Sequence, residues 1–460
     1  GDSLTTGSEN VAIGHQTLSL DTTGSRSVGV GTEVLKNQLI DGNTFNVAVG
    51  YKAGNQVSTA TQNTLIGGLA GDALTTGGSN VAIGYEALST EDTRGGAVAI
   101  GYQALKTQNA DSTSYNVAVG HQAGELITTG IKNTLIGGLA GDSLTTGSQN
   151  VAVGYLALTT ANGNENYNVA IGTGSLMNLD GSGDMWNTAV GTNSGLSITT
   201  GTQNTLIGGK SGDSLTSGGS NIAIGYEALS AEDTGERNVA VGYRALKDQN
   251  YDGQAYNVAI GHNAAANITT GTLNTIIGGN AGDALTTSVH NVAVGYQALS
   301  AEDTNSYNTA VGFQALLVQD GGSLNTAVGY QAGDAITDGG NNTLVGGGAG
   351  EAITSGGNNV CIGQGAGKVL TTGSNNVYIG RDIDAGATDR VNEIVIGEGS
   401  AGSGSNTVTL GNGSISSLHC QVSSISALSD KRDKKDIKDS TYGLDFVDSL
   451  KPVTFEWDQR

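Results

Sequence analysis

The chain has 460 residues, 75 of them glycine, with one proline, two cysteines and a formal net charge of −22. Glycine at this level without a Gly-X-Y period is not collagen, and the regular placing of valine, isoleucine and leucine is not the pattern of a disordered chain. The acidic balance argues against wrapping nucleic acid or lying on an anionic membrane, no apolar run nears the ~20 residues that span a bilayer, and Cys361 and Cys420 make no disulfide framework.

From the N-terminus the chain repeats one phrase: Asn, three apolar or Thr residues, then Gly. It reads "NVAIG" from Asn10, "NVAVG" from Asn46, "NTLIG" from Asn63 and "NVAIG" from Asn80, and continues to "NVYIG" from Asn376. Because Gly1 falls inside such a phrase, an N-terminal attachment region is expected outside this sequence. The commonest step is 17 residues, as from Asn63 to Asn80. The "NTLIGG" or "NTIIGG" version returns at Asn63, Asn133, Asn204 and Asn274. Four short units therefore make one cassette of about 70 residues, and residues 1–412 form one repeat region.

A period this short, with no helical spacing inside it, predicts an all-β parallel β-solenoid or β-roll. Each coil is expected to hold two short strands and two turns. The three-residue phrase has strand character, and Gly ends it where the chain turns sharply. The Asn is expected to stack as a ladder between coils. Side chains alternate along a strand, so Val81 and Ile83 point one way and Ala82 the other. The middle position is small and apolar in nearly every coil. Both faces are therefore expected to be buried, one inside the coil and one against other chains, with the Ala column near a shared axis. An intertwined or side-by-side homotrimer follows, a rod of about 110 Å at one strand spacing per coil. These phrases resemble the head repeats of trimeric autotransporter adhesins, a resemblance that implies a trimeric left-handed β-roll.

Two kinds of loop stand out along the rod. Longer coils place an aromatic just before the Asn, at Phe45, Tyr115, Trp186 and Tyr256, once per cassette. Such a row would line one edge at intervals of about 19 Å and either stack on sugars of a cell-surface glycan or cover the corner of its own coil. Acidic turns recur at Glu91–Asp92, Glu232–Asp233 and Glu302–Asp303. They lack the spacing of known calcium loops and read as solvated. Five histidines stand singly, so no metal and no cofactor is expected, and the His419–Cys420 pair reads as packing. The Thr pairs of "LTTG" miss too many coils for an ice-binding lattice.

After Gly411 the rhythm stops. A Ser-rich connector, residues 413–428, leads into "SDKRDKKDIKDSTYGLDFVDSLKPVTFEW". Residues 429–460 resemble the start of the intramolecular chaperone domain of phage tailspikes and tail fibres, the endosialidase-type domain of peptidase family S74. Ser429, Asp430, Arg432, Lys434 and Ile437 match its opening motif. Gly443, Leu444, Asp445, Phe446, Leu450, Pro452, Val453, Phe455 and Trp457 match its continuation. The resemblance implies an α+β domain, cut short here, that trimerises the fibre and releases itself. It makes Ser429 the nucleophile, Lys434 the base and Leu428–Ser429 the scissile bond. Without it, the Ser-Asp pair would read as a helix cap in a solvated basic segment.

The combined expectation is the structural shaft of a homotrimeric tail fibre, extracellular on the virion. Its partners would be its own copies, host-surface polysaccharide and other tail proteins reached through the N-terminal region. Neither nucleic acid nor membrane insertion is expected. The alternatives are a trimeric-autotransporter-like surface adhesin and a tailspike depolymerase.

Overall fold

The computed structural model describes residues 1–419. Contacts divide the chain into a unit of Gly1–Asn412 and a unit of Gly413–Arg460. Among the described residues there is no helix. The first unit is a parallel β-solenoid whose 24-stranded sheet advances one strand per coil, from Val11–Ile13 to Val408–Leu410. Neighbouring strands pair in register, Val81 with Val98, Ala82 with Ala99 and Ile83 with Ile100.

Each coil has one three-residue strand where two were expected; a second pairing is confined, among the described residues, to Gly24–Ser25 with Gly42–Asn43 and to single bridges such as Asn166 with Asp184 and Glu236 with Gln254. The reason is local backbone geometry. After the strand, every other residue turns left-handed, as at Glu86 and Leu88, both at φ 53°. A chain that alternates sign in this way cannot run straight. Its amides still bond from coil to coil: Glu86 N–H donates to the Gly68 carbonyl at 3.0 Å and Leu88 N–H to the Ala104 carbonyl at 3.0 Å. The ladder thus runs round the whole coil although only one segment is extended.

Gly84 closes its strand at φ +138°, and a Cβ there would stand 2.2 Å from the Gly101 carbonyl oxygen of the next coil. No side chain fits so close an approach, which explains the invariant glycine within the repeat. The Asn before the strand forms the expected ladder. Asn80 is fully buried; its Oδ1 accepts from Ala97 N–H at 3.0 Å, its own N–H donates to Asn63 Oδ1 at 2.9 Å, and its Nδ2 donates to the Arg94 carbonyl at 3.3 Å. One side chain thereby satisfies two backbone groups of the following coil, while its own backbone amide is satisfied by the Asn of the preceding one. The ladder runs on to Asn376, whose Oδ1 accepts from Glu393 N–H at 2.9 Å.

The hydrophobic core lies inside each coil. Ala82, Ala87, Leu88, Ala99 and Leu105 are fully buried in a single chain. This corrects the expected placing of the Ala column. The middle strand residues face the coil's own interior and not an axis shared between chains. The interior is narrow, so Ala fits where the turn supplies Leu88, and the strand carries Leu or Ile only where the turn does not.

Candidate functional site

The outward face of the sheet is made by the two flanking residues of each strand. They are Val, Ile, Thr or Leu at every one of the 24 strands, and none is charged. Ile66, Ile136 and Ile207 remain 37%, 40% and 39% exposed. The third strand residue is Val, Ile or Leu throughout and makes a continuous apolar column on the outside, beside a first position shared by Val, Ile and Thr, on a chain that carries 62 Asp, Glu, Lys and Arg residues elsewhere or in its C-terminal segment. The sequence reading turned the Ala column outward; the structure turns the flanking residues of the same strands outward instead.

A second feature runs beside the column. Phe45, Tyr115, Trp186 and Tyr256 all occupy the position before the ladder Asn, and all are left-handed, with φ of 53°, 49°, 57° and 52°. Each is exposed at the surface. Neighbours in the same position cover part of the row. Trp186 stacks on Tyr167 with centroids 4.1 Å apart, and the Arg26 and Arg237 guanidinium groups lie 5.6 and 5.4 Å from the Phe45 and Tyr256 rings. The rings do not fold into the core; each stands on the outside against the coil before it.

On the other side of the sheet, the residue after the strand-ending glycine forms another aromatic column, unremarked in the sequence. Tyr85 stacks on Tyr102 and Tyr102 on His121; the series recurs as Tyr226, Tyr243 and His262, and as Tyr296, Phe313 and Tyr330. The recurring "IGY" and "VGY" were its signal.

The acidic turns are solvated only in part: Asp303 is exposed, but the glutamate of each turn is not. Glu91, Glu232 and Glu302 are fully buried. Glu91 accepts from Arg94 N–H at 3.0 Å, from Gln108 Nε2 at 3.1 Å and from Ala110 N–H at 3.3 Å. Gln108 in turn accepts from Asn116 of the ladder at 2.8 Å. The same chain of contacts links Glu302, Gln319 and Asn325. These carboxylates fasten the longer loops to the Asn ladder, a structural role that satisfies buried amides. Desolvation pushes Glu232 and Glu302 above the ordinary glutamate range against the pull of those hydrogen bonds. Carboxylate oxygens of Glu302, Asp303 and Asp320 also lie within 4.8 Å of one another. Cys361 takes the middle strand position, and burial pushes its thiol up to about 12, which makes it a packing residue.

The residues assigned to chaperone and cleavage chemistry, from Leu428, Ser429, Asp430, Arg432 and Lys434 through Ile437, Gly443, Leu444, Pro452 and Trp457, lie outside the described residues, as does Cys420. They are reached by comparison of sequences instead. No curated protein matches the chain. Residues 429–460 match the Peptidase_S74 family model, described as chaperone of endosialidase, and the β-solenoid that precedes them in the sequence fits the shaft of a tail fibre.

Proposed function

We propose that the chain is the shaft of a homotrimeric phage tail fibre, extracellular on the virion, whose C-terminal chaperone sets the register of three chains. The uninterrupted outward apolar column carries this reading. It runs over 24 coils with residues such as Ile66, Ile136 and Ile207 more than a third exposed, the kind of contiguous apolar surface that marks an interface rather than a monomer's outside. A second and a third copy of the same chain present the same column at the same height, so parallel association covers it along its length.

The repeat makes a chaperone useful. Three chains displaced by one coil or one cassette would meet nearly the same residues, so pairing alone specifies register weakly. A clamp at the C-terminus that aligns the three ends removes the ambiguity. In this reading the chaperone is then released at Leu428–Ser429, with Ser429 as nucleophile and Lys434 as its base. The shaft touches host-surface glycan through the row Phe45, Tyr115, Trp186 and Tyr256, and joins other tail proteins through a region N-terminal to this sequence.

Cross-linking tests the interface. A cysteine placed at Ile207, on the outward column, should join chains through a short bis-maleimide, whereas one placed at Ala223, inside the coil, should not. The reverse pattern would remove the outward column as the interface.

A further inference from the structure

The two side-chain ladders on the far side of the sheet both end at the same coil, and a groove opens there. In the aromatic column, Tyr296, Phe313 and Tyr330 stack with centroids 5.7 and 5.4 Å apart. The next position is Gly347, so the face of Tyr330 turned away from Phe313 has no ring upon it. In the adjoining column, Gln314 Nε2 donates to Gln297 Oε1 at 3.0 Å and Gln331 Nε2 to Gln314 Oε1 at 3.1 Å. The residue that would donate to Gln331 Oε1 in turn is Gly348, which has no side chain. The resulting groove has a volume of about 580 Å³, and its farther wall carries Gln364, Lys368 and Asp382, with Glu351 beside the glycines.

Glycine alone does not open this space. Gly68, Gly138, Gly209 and Gly279 occupy the same position in earlier cassettes, but the tyrosine of the next coil leans over each one. A Cβ there would meet the ring of Tyr85, Tyr155, Tyr226 or Tyr296 at 3.4 to 3.6 Å. At Gly347 the following residue is Gln364, and the nearest atom to a Cβ is the Tyr330 carbonyl oxygen at 4.0 Å. The gap is filled in four cassettes and open in this one.

We propose that this groove binds a neutral pyranose unit of a surface oligosaccharide. A sugar has an apolar face of C–H groups that packs on an aromatic ring and a rim of hydroxyls that needs planar amide and carboxylate partners. Tyr330 supplies the face, Gln331 the open acceptor, and Gln364, Glu351 and Asp382 further polar groups. Glu351, Asp382 and Lys368 give the groove no excess of positive charge for an acidic sugar, and the nearby Arg381 is already paired with Asp382 and Glu398. The proposal rests on reading the rod as one that touches glycan, but it places the contact on a different edge from the Trp186 row.

Saturation-transfer NMR on the assembled protein tests it, with cellotetraose and chitotetraose as neutral probes and trigalacturonate as the acidic one. At least one neutral probe should receive saturation. Tyr330→Ala and Gly347→Leu should each weaken that binding about tenfold or more, and Tyr102→Ala, in a filled stretch of the same aromatic column, should leave it unchanged. Gly347→Leu fills the groove at a position with free space, so its unaltered melting curve guards against a folding defect. Binding that survives both groove variants, or that prefers trigalacturonate, overturns the proposal. Binding lost only in Trp186→Ala overturns it while keeping the glycan reading on the other row. Silence from both neutral probes overturns it and leaves the trimeric shaft untouched.

Discussion

Leu65 and Gly71 share one volume. A Cβ on Gly71 would stand 2.8 Å from Leu65 Cδ2, and Gly71 has the same left-handed backbone, φ 55°, that Leu88 adopts at 53° one coil later. Where the strand carries Ala82, the turn carries Leu88; where the strand carries Leu65, the turn carries Gly71. The pairs Leu135 with Gly141, Leu206 with Gly212 and Ile276 with Gly282 repeat the exchange once per cassette. In the coil before, strand Ala48 and turn Gly54 are both small, and Leu65 Cδ1 reaches to 2.6 Å of a Cβ on Gly54, so the strand Leu fills the space left by two turn glycines.

This exchange predicts a compensating pair. Leu65→Ala should destabilise by about 2–5 kcal/mol, as a cavity in a buried site does. Gly71→Leu alone should also destabilise, because the space is taken. The double variant should recover part of both losses; Leu74 Cδ1, also 2.8 Å from a Cβ on Gly71, limits the recovery. Hydrogen exchange at the amides of residues 64–74 measures it locally; additive losses would show that the two positions do not share the volume.

The Asn ladder should be costly to interrupt. Asn204 donates to the Gly218 carbonyl at 2.9 Å and accepts from Asn221 N–H at 3.0 Å in a fully buried position. Asn204→Ala strands an amide and a carbonyl, each at roughly 1–3 kcal/mol. Asn204→Asp keeps the acceptor but loses the donor and buries a charge, so it should melt no higher than the alanine variant at neutral pH.

Much of this was legible in the sequence. The 17-residue step, the strand phrase, the closing glycine and the Asn ladder all depend on repetition, which a sequence displays directly. Which strand face turns inward was not legible, because Ala82 and its neighbours Val81 and Ile83 are all apolar and composition cannot orient them. The burial of Glu91 was missed for a related reason: its partners, Gln108 and Ala110, belong to the next coil. The position before the ladder Asn held an overlooked sign. Its residues are left-handed at coil after coil, from Glu9 to Asn406, and none is Val, Ile or Thr, the side chains that backbone excludes most strongly.

That exclusion yields a further expectation. Ser220 lies at φ 59°. Ser220→Val should lower the melting temperature, and Ser220→Gly should hold or raise it. Equal melting of the two variants would mean that the left-handed turn is not maintained there.

The pH dependence should run opposite to ordinary acid denaturation. Asp142 is half-buried, and desolvation, the largest cause, raises its pKa to about 6. Asp72, Asp213 and Asp283 occupy the same place in other cassettes and are raised by the same cause. A carboxyl raised in the folded state favours folding when protonated. Its contribution is complete below the unfolded value near 3.9 and is lost as pH rises through about 6. Melting temperature should therefore rise from pH 7.5 to pH 5, and Asp142→Asn should raise it at pH 7.5 while flattening the slope. A fall in melting temperature over that interval would contradict the assignment.

Cleavage should follow assembly. A chain carrying the complete chaperone should split between Leu428 and Ser429 without added protease, Ser429→Ala should assemble but stay joined, and Lys434→Met should slow the cut. Mass spectrometry of the incubated fibre reads all three. An uncut bond in the wild-type assembly would leave the chaperone as a permanent clamp.

The central claim is that the outward apolar column is covered by two further copies of this chain. Sedimentation equilibrium of the purified protein, paired with far-ultraviolet circular dichroism, measures it most directly. The wild type should sediment as three chains, and the double variant Ile136→Glu with Ile207→Glu should weaken or split the assembly while leaving the β signal of each coil in place. A wild-type protein that sediments as one chain with that β signal intact would contradict the claim.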